Sequence, residues 1–284
     1  MIAAPPAFLE AGSYRLSLDR PLVMGIVNPT PDSFSDGGRF HDPLRAVEHA
    51  LALVEEGADI VDVGGESTRP GAPPVSAAEE LDRVAPVVEA LASRIPVSVD
   101  TSKPEVMAAV LAMGAAMIND VLALQIPGAL ELVAASGAAA CLMHMQGSPR
   151  TMQEAPHYTD VVGEVSAFLR ARAEAAERAG VSRQRLLLDP GFGFGKTLEH
   201  TLAVCRRLGS IAAMGWPVLA GLSRKSSLGR ITGRPVGERV HASVAAALLA
   251  VQRGASVVRV HDVAATRDAL AVLGAIEHGR FNTA

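Results

Sequence analysis

The sequence predicts a single-domain α/β protein, a (β/α)8 TIM barrel in which eight parallel strands alternate with helices. Three observations predict it. One unit recurs along the chain: an Ala-rich helical stretch, a glycine, a short run that is apolar throughout, then a polar residue. Eight such runs alternate with helical patterns, which calls for a parallel sheet. No Gly-rich dinucleotide turn follows the first run, where an open doubly wound sheet would usually carry one.

The runs span 23–27, 60–62, 96–99, 117–119, 141–144, 185–188, 217–222 and 257–259. Each is short and apolar on both faces, as a strand buried on two sides requires. Gly57, Gly114, Gly137 and Gly254 each precede an alanine and one of these runs. They suit the left-handed position just past a helix end. Ser76 with Glu79, and Ser102 with Glu105, have the spacing of capping boxes, the second with Pro104 in the first turn. Nothing resembles an interdomain linker, so residues 1–284 are read as one domain, with Pro5, Pro6 and the tail 281–284 as frayed ends.

Composition excludes several classes. Apolar residues make up 49% of the chain but aromatics only 4%, which favours helices on a sheet over an aromatic-rich sandwich. A formal net charge of −4 offers no electrostatic footprint for nucleic acid. No apolar run approaches the ~18 residues of a membrane span, and no basic-plus-apolar leader opens the chain. Cys141 and Cys205 lack metal-ligand spacing and read as small buried hydrophobes. A soluble protein of the reducing cytoplasm is expected.

In a barrel the active site is built at the C-terminal ends of the strands. Here all eight ends are polar: Asn28, Asp62, Asp100, Asn119 with Asp120, His144, Asp189, Ser223-Arg224-Lys225, and Arg259 with His261. One or two could be hydrogen-bonded caps; eight together read as a site. Asp100, Asn119, Asp189 and Lys225 suit a flat heterocycle bearing amino and lactam groups. Arg259, His261 and Asn28 suit a phosphate or pyrophosphate. The polar, Gly/Pro-rich stretches 28–38 and 64–71 are long enough to be lids over the mouth. The segment 191–197 ends like a phosphate-binding P-loop, but Pro190 stands where that pattern needs its first glycine, so it is set aside.

Read together, the strand-end motifs resemble the dihydropteroate synthase family. They are MGIVNPTPDSFSDGG (24–38), IVDVGGESTRPGA (60–72), PVSVDTSKP (96–104), MIND (117–120), CLMHMQGSP (141–149), LLLDPGFGFGKT (186–197), GLSRKS (221–226) and VVRVHDV (257–263). The resemblance implies condensation of a hydroxymethyl-dihydropterin pyrophosphate with p-aminobenzoate, releasing pyrophosphate. It implies that Asp100, Asn119, Asp189 and Lys225 hydrogen-bond the pterin, with Ile118 and Met145 packing on it and Arg259 stacking. Asn28, Thr68, Arg259 and His261 would hold the pyrophosphate, Asn28 also ligating Mg2+. Phe34, Arg69, Pro70, Phe194, Lys225 and Ser226 would hold the amine substrate, and Asp36 would stabilise a cation-like methylene. A homodimer is also implied. One departure is Pro29, where the family pattern carries an aliphatic residue. The alternatives are a corrinoid methyltransferase using a methylated folate, a catalytically silent pterin-binding paralogue, and a Schiff-base aldolase acting through Lys225.

Overall fold

A computed structural model describes residues 5–29, 43–68 and 71–279 of the 284. Phe34, Asp36, Arg69, Pro70 and the tail 281–284, on which some expectations fall, lie outside the described residues.

Strands β1 (Phe8–Ala11) and β2 (Tyr14–Ser17) form an antiparallel hairpin. The barrel strands are β3 (Leu22–Val27), β4 (Ile60–Gly64), β5 (Val97–Asp100), β6 (Met117–Asp120), β7 (Ala139–Met143), β8 (Leu186–Asp189), β9 (Leu219–Ala220) and β10 (Val257–Val260). Their order around the sheet is β8-β7-β6-β5-β4-β3-β10-β9, all parallel. A bridge between Leu188 and Val218 joins β8 to the start of β9 and closes the ring. This is the (β/α)8 barrel expected. The helices outside it are α1 (Pro43–Glu55), α2 (Ala77–Leu91), α3 (Pro104–Ala112), α4 (Ala129–Ser136), α5 (Val161–Arg178), α6 (Leu198–Arg206), α7 (Leu208–Ala212), α8 (Ser226–Thr232), α9 (Val240–Gln252) and α10 (Val263–His278). Among the described residues no helix is long and apolar enough to cross a membrane.

Strand alternation sorts the side chains into two layers. Val61, Val63, Val97, Val99, Ile118 and Leu142 face outward, in one cluster with helix residues such as Leu53, Val84 and Leu169. Met24, Ile60, Met117, Cys141, Leu187 and Val257 face inward and fill the barrel floor. The registers Asp100↔Asn119, Asn119↔Cys141 and Cys141↔Leu187 carry one parity around the ring. One step up from the apolar floor, the same parity delivers the polar mouth.

Two local expectations need correction. No element was expected before residue 23, yet the β1–β2 hairpin plugs the floor with Leu9 and Ala11. Its tip is held by the Gly12 amide donating to the Gly137 carbonyl (3.2 Å), and its second strand by the Tyr14 hydroxyl donating to the Ala92 carbonyl (2.8 Å). Ser76 does accept from the Glu79 amide at the start of α2. Ser102 caps nothing: the N-cap of α3 is Lys103, and the Ser102 hydroxyl donates to Asp120 instead. The helix starts one residue later than the spacing implies, so Ser102 stands before the cap position, out of register with the amides it would have accepted from. The reciprocal capping box lies elsewhere, between Thr197 and His200 at the start of α6. The four glycines before strands all take positive φ, from +81° at Gly137 to +98° at Gly114.

Candidate active site

Asp62 is the hub of the mouth. It is fully buried at the middle of β4 and accepts from Arg259 Nε (2.5 Å) and Asn119 Nδ2 (3.2 Å). Arg259 also donates through Nη2 to Asp100 (3.1 Å), so one guanidinium spans two carboxylates. That pairing fixes the orientation of the guanidinium. Sequence reading placed Asp62 in the polar ring but gave it no task; its task is to orient Arg259 and Asn119. The second Asp62 oxygen, Oδ1, is buried without a partner.

Across the mouth, Asp189 ends β8 and accepts the Gly191 amide on Oδ1 (2.7 Å). Lys225 reaches in after a turn that places Arg224 at φ +57°, held by Asp262 and by Ser243 Oγ on the Arg224 amide. The Lys225 ammonium donates to the Phe192 carbonyl and lies 4.7 Å from the centre of the Phe194 ring. Burial lowers Lys225 to about 8, with Asp189 opposing and the like charge of Arg259 assisting. Burial raises Asp189 against the pull of Lys225. Asp100 is pushed up to about 7, chiefly by burial, with Arg259 opposing and Asp62 reinforcing the rise.

That value sets a pH dependence. An aspartate at about 7 when folded and near 4 when unfolded binds more protons in the folded state. Its contribution to stability therefore falls as pH rises from about 4 to 7, and the penalty is fully present above 7. Urea unfolding at pH 5 and pH 8 should show a steeper loss for the wild type than for Asp100→Asn. Equal slopes in the two proteins would remove Asp100 as the source.

The other expected residues are placed as follows. Asn28 follows β3, with its Oδ1 over Gly64, where an added Cβ would stand 3.5 Å away. The β10–β3 register, ending at Val260↔Gly25, carries His261 to the level of Ile26, one inward-facing position below Asn28, with its Nδ1 3.0 Å from Ser223 Oγ. Thr68 lines a cavity of about 490 Å3 that opens beside Asp100, with Glu66, Lys103, Val121 and Arg150 on its walls. Ser226 is exposed at the first position of α8. Ile118 is a correction: it sits on the opposite face of β6 from Asn119, in the helix-facing core, and cannot pack on a ring in the mouth. Met145 lies half-buried beyond the end of β7. The register Met143↔Asp189 instead puts Met143 on the inward face. Among the described residues no group of three or more His, Cys, Asp and Glu side chains could hold a metal. Asn28 offers one hard oxygen at the rim, which fits a cation whose other ligands come with a diphosphate and water.

Sequence reading also missed a second layer. Lys196, dismissed with its motif, is buried and bonds His144 Nδ1 at 2.9 Å. Lys103 pairs with Glu66 and Glu80 under the loop after β4. A signal was available: the chain has three lysines, at 103, 196 and 225, among 26 Lys and Arg residues. All three stand at the barrel mouth or directly behind it.

A closed barrel whose mouth pairs carboxylates, an amide, a lysine and a clamped arginine is an enzyme built to grip a flat polar heterocycle. Residues 24–261 match the family of pterin binding enzymes. The chain is 51% identical over 276 residues to dihydropteroate synthase of Escherichia coli K12, covering 96% of this chain and 98% of that one. It superposes with TM-score 0.90 and 56% identity on Xanthomonas albilineans dihydropteroate synthase bound to 4-aminobenzoic acid, covering 96% and 98% of the two chains. A structure of that enzyme with 7,8-dihydropteroate gives TM-score 0.87 and 53% identity, over 95% and 99%. The chain belongs to the pterin-binding enzymes, in their dihydropteroate synthase family.

Proposed function

We propose that this chain condenses 6-hydroxymethyl-7,8-dihydropterin pyrophosphate with p-aminobenzoate, giving 7,8-dihydropteroate and pyrophosphate. The observation that carries this reading is the Asp62–Arg259–Asp100 clamp facing Asp189 and Lys225 across one mouth. Asp100, Asn119 and Asp189 accept from or donate to the pterin edge, Lys225 donates to its lactam side, and Met143 packs against it. Arg259 presents its remaining donor edge toward the rim, where Asn28, Thr68 and His261 hold the diphosphate. Mg2+ held by Asn28 and the diphosphate would neutralise charge on the leaving group. The methylene C–O bond breaks and its electron pair leaves with the diphosphate. The amine lone pair forms the new C–N bond, and the amine proton passes to solvent. The protein supplies electrostatics and orientation, without a nucleophile of its own. Phe194, Lys225 and Ser226 border the amine, joined in this reading by Phe34, Arg69 and Pro70, while Asp36 stabilises the cation-like methylene.

The test is a pyrophosphate-release assay with both substrates and Mg2+, omitting each in turn. Release that requires all three supports the reading; pterin binding without release would leave a silent binding protein. The same reading includes a cytoplasmic setting and a homodimer. An apolar groove of about 350 Å3 between α6, α8 and α9, with Ile231 54% and Leu249 48% exposed, is the face that a twin would cover. Sedimentation equilibrium should return twice the 29.4 kDa chain mass, and a monomer mass would end that part of the proposal.

A further inference from the structure

Behind the mouth lies a lysine that the reaction does not use. Lys196 is 3% exposed, and its ammonium reaches the Gly191 carbonyl (3.0 Å), the Phe194 carbonyl (3.0 Å), His144 Nδ1 (2.9 Å) and the His144 carbonyl (3.4 Å). Two of these acceptors belong to the loop after β8 and two to the end of β7. The loop is pressed onto that neighbour: a Cβ on Gly191 would fall 1.9 Å from the His144 carbonyl oxygen, and one on Gly195 2.4 Å from that of Gln146. The His144 ring is itself wedged against Phe168, edge-on at 5.0 Å between centroids. It accepts as a neutral imidazole, burial and the nearby Lys196 charge holding it down to about 3. Tyr158 makes a second tie, its hydroxyl donating to the Gly195 carbonyl (2.7 Å).

The other side of the same loop faces the site. Its Gly191 amide donates to Asp189, its Phe192 carbonyl accepts the Lys225 ammonium, and its Phe194 ring stands against Lys225. A compact ammonium with three donors can gather three or four carbonyl and imidazole acceptors from two segments. A planar guanidinium of greater volume cannot do so in this space. In a chain that otherwise uses arginine almost throughout, lysine at 196 answers that need.

We propose that Lys196 is a positioning residue: its ammonium staples the loop after β8 to the end of β7 and thereby sets where Lys225 and Phe194 stand in the active site. The functional part rests on the pterin-and-amine reading of that site; the staple itself does not. A misplacement of about 1 Å in such a site can cost up to ~100-fold in rate. Lys196→Met removes the donors and keeps most of the volume. It should raise the KM for p-aminobenzoate about tenfold, while the affinity for the pterin pyrophosphate shifts less than about threefold. Lys196→Arg should fail to rescue. Tyr158→Phe, which weakens the second tie without touching Lys196, should move the same KM in the same direction by a smaller factor.

Burial draws Lys196 down to about 7, with Asp189 opposing. A readout independent of turnover is therefore the labelling of Lys225 by an amine-reactive reagent at pH 6.5, where the Lys196 ammonium keeps its proton, followed by peptide mass. The chain has three lysines in all, so only Lys103 and Lys196 compete with Lys225, which keeps the signal clean. Lys196→Met should speed that labelling about fivefold, the equivalent of one lost hydrogen bond. Unchanged labelling in a folded Lys196→Met protein, or equal losses for amine and pterin, would overturn the proposal. If Lys196→Met does not fold, an unchanged amine KM and Lys225 labelling rate in Tyr158→Phe overturn it instead. A wild type without turnover would count against the reaction, and the labelling arm would still decide the staple.

Discussion

Arg259→Ala should weaken binding of the pterin pyrophosphate by two to three orders of magnitude, and binding of the free hydroxymethylpterin by much less. The expectation of about 100- to 1000-fold follows from removing a preorganised cation that meets the diphosphate in a partly desolvated site. The structure adds a second consequence. Arg259 neutralises Asp62, which is fully buried, and Asp100, which is nearly so. Its removal leaves two neighbouring carboxylates without their shared cation, Asp62 keeping the Asn119 amide as donor. Breaking a buried pair from one side costs about 3–5 kcal/mol, so the variant should also melt at a markedly lower temperature. Asp100, relieved of the main force lowering its pKa, should hold its proton at still higher pH. Arg259→Lys separates the two effects. It restores a charge and part of the stability, but one ammonium cannot bridge both carboxylates in the guanidinium's geometry. Titration calorimetry with the two ligands gives the comparison; equal losses for both would refute an anion role for Arg259.

Asp189→Asn should cost about a hundredfold or more in affinity for the pterin itself. Asp189 is 6% exposed and fixed by the Gly191 amide, so its carboxylate is aimed before ligand arrives. A buried carboxylate accepting two ligand N–H groups is worth about 1.5–3 kcal/mol per bond. The isosteric amide offers one acceptor and a clashing donor pair. The loss extends to Lys225, because Asp189 is the main group raising a lysine that burial has drawn down to about 8. In Asp189→Asn that lysine should titrate lower still and be largely neutral at pH 7.5. Free-pterin calorimetry and the pH dependence of Lys225 labelling report the two effects separately. A loss under tenfold with unchanged Lys225 titration would remove Asp189 from the pterin site.

What was legible in the sequence was local or periodic. Gly57, Gly114, Gly137 and Gly254 announce helix ends because the left-handed turn is a property of one residue. Asp100, Asn119, Asp189 and Arg259 stand out because a charged or amide group ending an apolar run has few structural reasons to be there. What was not legible depends on partners far along the chain. Ser102 has the spacing of a cap, but the helix begins one residue later, and the hydroxyl turns to Asp120, brought alongside by the β5–β6 pairing. Asp62 looked like one strand end among eight until Arg259, nearly two hundred residues later, folded onto it. Ile118 is a different error, since the alternation on β6 excludes its side chain from the face that carries Asn119. Lys196 was judged by the motif it fails to complete, while its acceptors lie partly in a strand end fifty-two residues earlier.

The hairpin that stops the barrel floor has a consequence for how the chain comes into being. Leu9 and Ala11 share one apolar cluster with Met117, Leu187, Leu219 and Val257, and β3, which also contributes to it, pairs with β10. Synthesis proceeds from the N-terminus, so β1 can pair with β2 and β3 with β4 early, but the floor they stop and the second edge of β3 are completed only when nearly the whole chain exists. Until then an apolar stopper and an unpaired strand edge remain open to other contacts, which makes this short segment the place where a nascent chain needs protection longest.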